Sequence, residues 1–151
     1  MSDDDKPRTS DAQTADGVTP AKIAVVLHAD LETWQRLNVT AFTISGVASQ
    51  HGVVGDAYRD ASDNRYLPMF REPVLVFGAS SEEMSRTAER ARSRGVAFSV
   101  FTRDLFGTFN DIDNRAAVVA VTTDGLDIVG LAFRAERKTA DKILKGLKLL
   151  R

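Results

Sequence analysis

The chain of 151 residues carries a formal net charge of −1, is 43% hydrophobic and 27% charged, and contains no cysteine. One domain is the natural reading of that length, and it is long enough to bury a core without staples. The composition excludes disulfides and thiolate metal sites, the charge balance argues against a nucleic-acid coat protein, and no apolar run approaches the ~20 residues of a membrane helix.

Residues 1–20 combine Asp3, Asp4, Asp5, Asp11 and Asp16 with Ser, Thr and Pro and show no apolar period. They read as a disordered tail ahead of a single domain over 21–151. No apolar leader core is present, so a cytoplasmic location is expected. Ile23–Leu27 is an unbroken apolar run and predicts a central strand covered on both faces. Ala29–Leu37 reads as a connection. Asn38 then caps a helix whose buried stripe is Ala41, Ile44, Ala48 and His51, with Gly52 closing it. Residues 53–72 read as a long irregular loop pinned by Tyr58, Tyr66, Leu67, Met69 and Phe70.

Pro73–Gly78 reads as the second strand. Ser80 and Glu83 form a capping box for a helix with the stripe Met84, Ala88 and Ala91, and Gly95 ends it before a third strand at Val96–Phe101. Strand, helix, strand implies that strands two and three are parallel, joined by a right-handed crossover. Ala116–Thr122 reads as the fourth strand, Asp124-Gly125 as a hairpin turn, and Leu126–Phe133 as the antiparallel return. Ala140, Ile143, Leu144, Leu147 and Leu150 form the stripe of a closing helix over 138–150. The sum is α/β: a three-layer α/β/α sandwich around a mixed, mostly parallel sheet of four to five strands. Sites in such sheets lie beyond the carboxyl ends of the strands, which selects 28–38, 78–81 and 102–115.

No G-x-G-x-x-G, P-loop or G-x-S-x-G occurs. His28 ends the first strand, and histidine is the residue type suited to proton transfer near neutral pH. Asp30 follows it by two residues, either starting a turn or facing the site. Asp104 and Thr108 are four apart and would meet on one helical turn as a polar pair that positions a substrate. Phe101, Leu105, Phe106 and Phe109 suit the wall of an apolar pocket. His28 and His51 are isolated and lack metalloprotease spacing, so no metal and no cofactor are expected. Arg86, Arg90 and Arg94, and Lys138, Lys142, Lys145 and Lys148, read as solvated helix faces, with contact to tRNA phosphates as the lesser reading.

Asp30-Leu31, Trp34-Gln35, Leu37-Asn38-Val39, Ala41-Phe42 and Pro73-Val74-Leu75-Val76-Phe77 resemble the signature of an uncharacterised bacterial family, the domain of unknown function two thousand. The opening strand with Asp30-Leu31, the Asn38–Phe42 stretch and the Thr102–Thr108 turn also resemble the type-2 peptidyl-tRNA hydrolases, over roughly 21–151. That resemblance implies a hydrolase-like α/β domain and a homodimer, with a pocket lined by His28, Asp30, Asn38, Phe42, Asp104, Phe106 and Thr108. Asn38 stands where those enzymes carry Lys, Phe42 where they carry Gln, and Phe106 where they carry Gly. Loss of a positioned cation removes oxyanion stabilisation worth ~10²–10³ in rate. The expectation is a non-hydrolytic small-molecule-binding or regulatory domain without a membrane partner. The alternative is a divergent hydrolase acting on peptidyl-tRNA or a related ester or amide. In that reading Asp104 orients a water or substrate amine, Thr108 donates a hydrogen bond, and His28 replaces the missing lysine.

Overall fold

Strand β1 (Ala21–His28) forms the middle of the molecule because its side chains are apolar in both directions. Ile23, Val25 and Leu27 join one buried cluster, and Ala24 and Val26 join another on the opposite face of the sheet. The computed structural model describes residues 20–151, so nearly all of the expected tail lies outside the described residues. After β1 come helix α1 (Thr33–Ala48), a two-residue pair β2 (Tyr58–Arg59) and β3 (Arg65–Tyr66), strand β4 (Val74–Ala79) and helix α2 (Ser81–Ser93). Strand β5 (Phe98–Thr102) leads through a 3-10 turn (Arg103–Gly107) into helix α3 (Asp111–Val119). A second 3-10 turn (Thr123–Gly125), strand β6 (Ile128–Glu136), helix α4 (Arg137–Ile143) and strand β7 (Lys148–Leu149) follow.

The main sheet has the order β5-β6-β1-β4-β7. Only β1 and β4 pair in parallel; β1 with β6, β5 with β6, and β4 with β7 are antiparallel. The α/β class and the five-stranded sheet stand, but the sheet is not mostly parallel. Strands β4 and β5 do run in the same direction, yet β1 and β6 lie between them.

Four local expectations are overturned, each for an identifiable reason. Residues 116–122 are not a strand, since Val118 and Val119 end helix α3. Asn110 accepts from the Asp113 N–H at 2.8 Å, and Asp111 pairs with Arg115 at 2.7 Å, so cap and i,i+4 pair outweigh the β-branched run. Asp124-Gly125 consequently lies in a 3-10 turn instead of a hairpin, and β6 returns against β1 and β5. The last helix stops at Ile143, because Gly146 (φ +88°) turns the chain into β7. Leu147 then packs on the α2 side of the sheet and Leu150 on the α1 side, an alternation that mimics helical spacing. This turn also takes Lys145 and Lys148 off the expected lysine stripe.

The fourth correction concerns α1. Its N-cap is Glu32, whose N–H donates to the Gln35 side chain at 2.9 Å, so Asn38 lies inside the helix. The buried residues are Val39, Thr43 and Val47 rather than the predicted stripe; Ala41 and His51 are exposed. Small residues decide this rotation. A Cβ on Gly130 of β6 would collide with Val39, and one on Gly46 would collide with Ser99 of β5. The helix therefore sits close against the sheet and turns its aromatic residues aside. Residues 53–72 are irregular apart from the short β2–β3 pair, with Val54 and Phe70 bridged and Asp60 accepting from Tyr66 at 2.7 Å. Of the side chains expected to pin the segment only Phe70 packs on the core, while Tyr58, Tyr66, Leu67 and Met69 are exposed. A partly buried ion pair, Glu72 with Arg134 at 2.7 Å, fixes the end of this segment to β6.

Candidate functional site

Two features meet at the end of the sheet where β1, β4 and β5 finish. The first is a chain of polar side chains. The register of β1 sends His28 to the same face as Ala24 and Val26, the face that carries α2. His28 is buried, and its Nε2 lies 2.7 Å from the Ser81 hydroxyl at the start of α2. Its Nδ1 lies 2.5 Å from Asp30 Oδ1. Asp30 in turn faces Arg103 at 3.6 Å, and Arg103 Nε donates to Asp127 at 3.0 Å.

Two groups of Asp30 reach His28 Nδ1: its backbone N–H donates to the ring nitrogen at 3.2 Å, and its carboxylate lies 2.5 Å away. With the ring hydrogen on Nδ1, the N–H faces the carboxylate and Nε2 accepts from the Ser81 hydroxyl; with it on Nε2, the ring donates to Ser81 and Nδ1 accepts from the Asp30 N–H.

The second feature is an aromatic cleft on the α1 side. Trp34 and Phe106 meet edge to face with centroids 5.6 Å apart; Phe106 and Phe101 are at 5.0 Å, and Phe101 and Phe42 at 6.0 Å. Such a ladder of tilted rings follows the preferred electrostatics of π-systems. Between α1, β5, the turn after β5 and α3 lies a cavity of about 740 Å³, with Phe42, Phe101, Leu105, Asn114 and Val118 among its walls. A smaller cavity of about 270 Å³ continues it past Trp34, Asn38, Phe106 and Thr108. Trp34 is 56% exposed, Phe42 54% and Phe109 96%. The polar rim is already paired: Thr108 Oγ donates to the Leu105 carbonyl at 3.0 Å and also meets Asn114, while Asp111 and Arg115 bind each other.

The expected site residues thus divide. His28 and Asp30 belong to the polar chain. Asn38, Phe42, Phe106 and Thr108 line the cleft. Asp104 is exposed in the 3-10 turn, and the polar pair it was expected to make with Thr108 is not formed. A 3-10 turn followed by extended backbone at Thr108 replaces the helical turn that would have brought them together. Sequence reasoning missed Ser81, Asn114 and Asp127. Ser81 was hidden beside the obvious cap residue Ser80, although it falls in the selected segment 78–81. Asn114 was hidden by the assignment of a strand just after it. Among the described residues, no group of three His, Asp or Glu side chains is placed to hold a metal ion, and no helix is long and apolar enough to cross a membrane.

Sheet and site together define a mixed α/β domain with a cleft beside its first helix. The chain belongs to the family described as protein of unknown function (DUF2000), whose pattern matches residues 21–151. It is similar to the solved structure of a protein of unknown function from Agrobacterium tumefaciens, at 38% identity with a TM-score of 0.84. That match covers 89% of this chain and 100% of the other. No curated protein matches the chain.

Proposed function

We propose that this protein binds a small, largely apolar molecule with an aromatic ring in the cleft between α1, β5 and α3. The observation that carries the reading is the ring ladder Trp34, Phe106, Phe101 and Phe42, anchored on the buried Phe101 with Trp34 and Phe42 exposed at its ends, beside a cavity of about 740 Å³. Ligand sites are concave, mostly apolar and supplied with a few polar groups for orientation. Asn38 supplies such a group here, opposite the Thr108–Asn114 pair. The charges at the rim, Asp111 and Arg115, neutralise each other, which favours an uncharged ligand. The resemblance to type-2 peptidyl-tRNA hydrolases supports an inherited scaffold. It lends less to their reaction, because Asn38 and Phe42 stand where the family's lysine and glutamine are expected.

The chain's single tryptophan, Trp34, reports directly on this cleft. Titration with neutral aromatic fragments such as indole or naphthol is expected to change its fluorescence saturably. Dissociation constants of about 10 μM to 1 mM are expected for molecules of that size. Phe42→Ala is expected to weaken binding by about 2–10-fold, the worth of one aromatic contact. A flat Trp34 signal across such a library, with no chemical-shift change at Phe101 or Asn114, overturns the reading.

A further inference from the structure

We infer that Ser81, His28 and Asp30 form a nucleophile, base and positioning carboxylate for acyl transfer from a carboxylic ester. This inference goes beyond ligand binding in the cleft and rests on different residues. In the tautomer with the hydrogen on Nδ1, the Ser81 hydroxyl donates to Nε2 across the 2.7 Å contact and the ring N–H faces the Asp30 carboxylate 2.5 Å away. A hydroxyl on an acceptor nitrogen whose other ring N–H is held by a carboxylate is the arrangement that activates a serine.

Three further observations separate this from a helix cap. The cap of α2 is already made by Ser80, whose hydroxyl accepts from the Glu83 N–H at 3.2 Å while Glu83 accepts from the Ser80 N–H at 3.1 Å. The Ser81 hydroxyl is therefore not spent on the helix. Ser81 is exposed while its base is buried, so a substrate reaches the oxygen and the imidazole is shielded. Finally, Ser81 follows a strand end and opens a helix of 13 residues, whose first two N–H groups, at Ser81 and Glu82, have no acceptor among the described residues. They are available to the oxygen that gains negative charge when the carbonyl is attacked.

The reaction balances with water as its only co-reactant. Ser81 Oγ bonds to the carbonyl carbon of the ester, and its proton passes to His28 Nε2. The bond from that carbon to the alcohol oxygen breaks, and the leaving alcohol takes the proton from Nε2. Water then attacks the acyl-serine, giving its proton to Nε2. Ser81 Oγ leaves and recovers that proton, and a carboxylic acid is released. Asp30 touches no reacting atom. It holds the Nδ1 hydrogen in place and is itself held by Arg103, which Asp127 anchors.

The test uses the full chain with a fluorophosphonate reagent and with p-nitrophenyl butyrate. The expected result is a single covalent adduct that peptide mass spectrometry places on Ser81, together with ester turnover above buffer. Ser81→Ala is expected to lose both. Because Ser81 does not cap α2 but does pair with the buried His28 Nε2, Ser81→Ala is expected to melt a few degrees lower while still folding cooperatively, so its loss of labelling and turnover is not a loss of fold. Asp30→Asn is expected to lower kcat by about 10²–10⁴-fold with KM nearly unchanged, the signature of a lost tautomer rather than a lost fold. His28→Gln is expected to fall by about 10²-fold or more. No adduct on Ser81 under conditions that label a reference serine hydrolase overturns the inference, as does Ser81→Ala turning over the ester at the parental rate. Neither result touches ligand binding in the cleft, which Trp34 reports separately.

Discussion

The two faces of the sheet are covered very differently. On one, α2 and α4 lay Met84, Ala88, Ala91, Ala140 and Ile143 over Ala24, Val26, Leu131 and Phe133, all nearly or wholly buried. On the other, α1 alone lies close against β5 and β6, and α3 buries none of its residues. Both faces carry a buried core, that of the α1 side built from Ile23, Val25, Leu27, Val39 and Val129, but only the α2 side is closed to its edge. The open face leaves rings and a cavity that packing has not claimed. A folded domain pays for its entropy with dense burial somewhere, and can then leave another surface underpacked for a ligand.

The sharpest way to break this comparison is to truncate one ring on each face. Phe133→Ala, at a fully buried ring, is expected to cost about 3–5 kcal/mol. Phe109→Ala, at a ring 96% exposed beside the cleft, is expected to stay within about 0.5 kcal/mol. Urea unfolding of both variants checks this, and similar losses for the two would mean that the faces are not distinct. A smaller effect is expected at Gly130, where α1 comes closest to the sheet. Gly130→Ala forces Val39 aside and is expected to destabilise by about 1–3 kcal/mol, measured by the same unfolding. Stability unchanged from the parent would show that α1 has slack.

The smallest effect concerns the N-terminus of α2, on the closed face. The Ser80 N–H, and after it the Ser80 hydroxyl, hold the Glu83 carboxyl below its ordinary value of 4.5. A carboxylate depressed in the folded state stabilises fully above its unfolded-state pKa, and the contribution is lost as pH falls through the folded value. The cap of α2 therefore weakens on acidification below about pH 4.5. Glu83→Gln keeps an acceptor without the charge, so its stability is expected to fall less than the parent's between pH 7 and pH 3. Equal losses in the two proteins would assign the acid sensitivity elsewhere.

Much of the closed face was legible in the sequence. The run Ile23–Leu27 announced a strand buried on both sides, and Ser80 with Glu83 announced the start of α2. Both signals are local and strong, and tertiary packing agrees with them. The open face was misread where small residues govern. Nothing in the spacing of Ala41, Ile44 and Ala48 reveals that Gly46 and Gly130 admit the Val39 edge of the helix instead, leaving Ala41 exposed. The same holds for 116–122, where an apolar β-branched run favours a strand and a polar cap six residues earlier makes a helix. In the site, His28 and Asp30 could be placed because a strand end is a predictable position. Their partner Ser81 opens the helix that follows β4, which lies beside β1 only once the sheet has formed, a contact between residues 53 apart.

Helix α3 buries no residue; the Asn110 cap and the Asp111–Arg115 pair lie within it, and the Thr108–Asn114 contact ties it to the preceding turn. Segments with so little buried contact open locally at a small fraction of the global unfolding free energy. The outer wall of the cleft is thus expected to open ahead of β1 and its neighbours, as amide exchange along 111–119 against 21–28 would show. A guest held between α1 and α3 draws its affinity partly against the entropy of ordering that one helix. Its occupancy registers first as slowed amide exchange along 111–119, far from any strand of the sheet's centre.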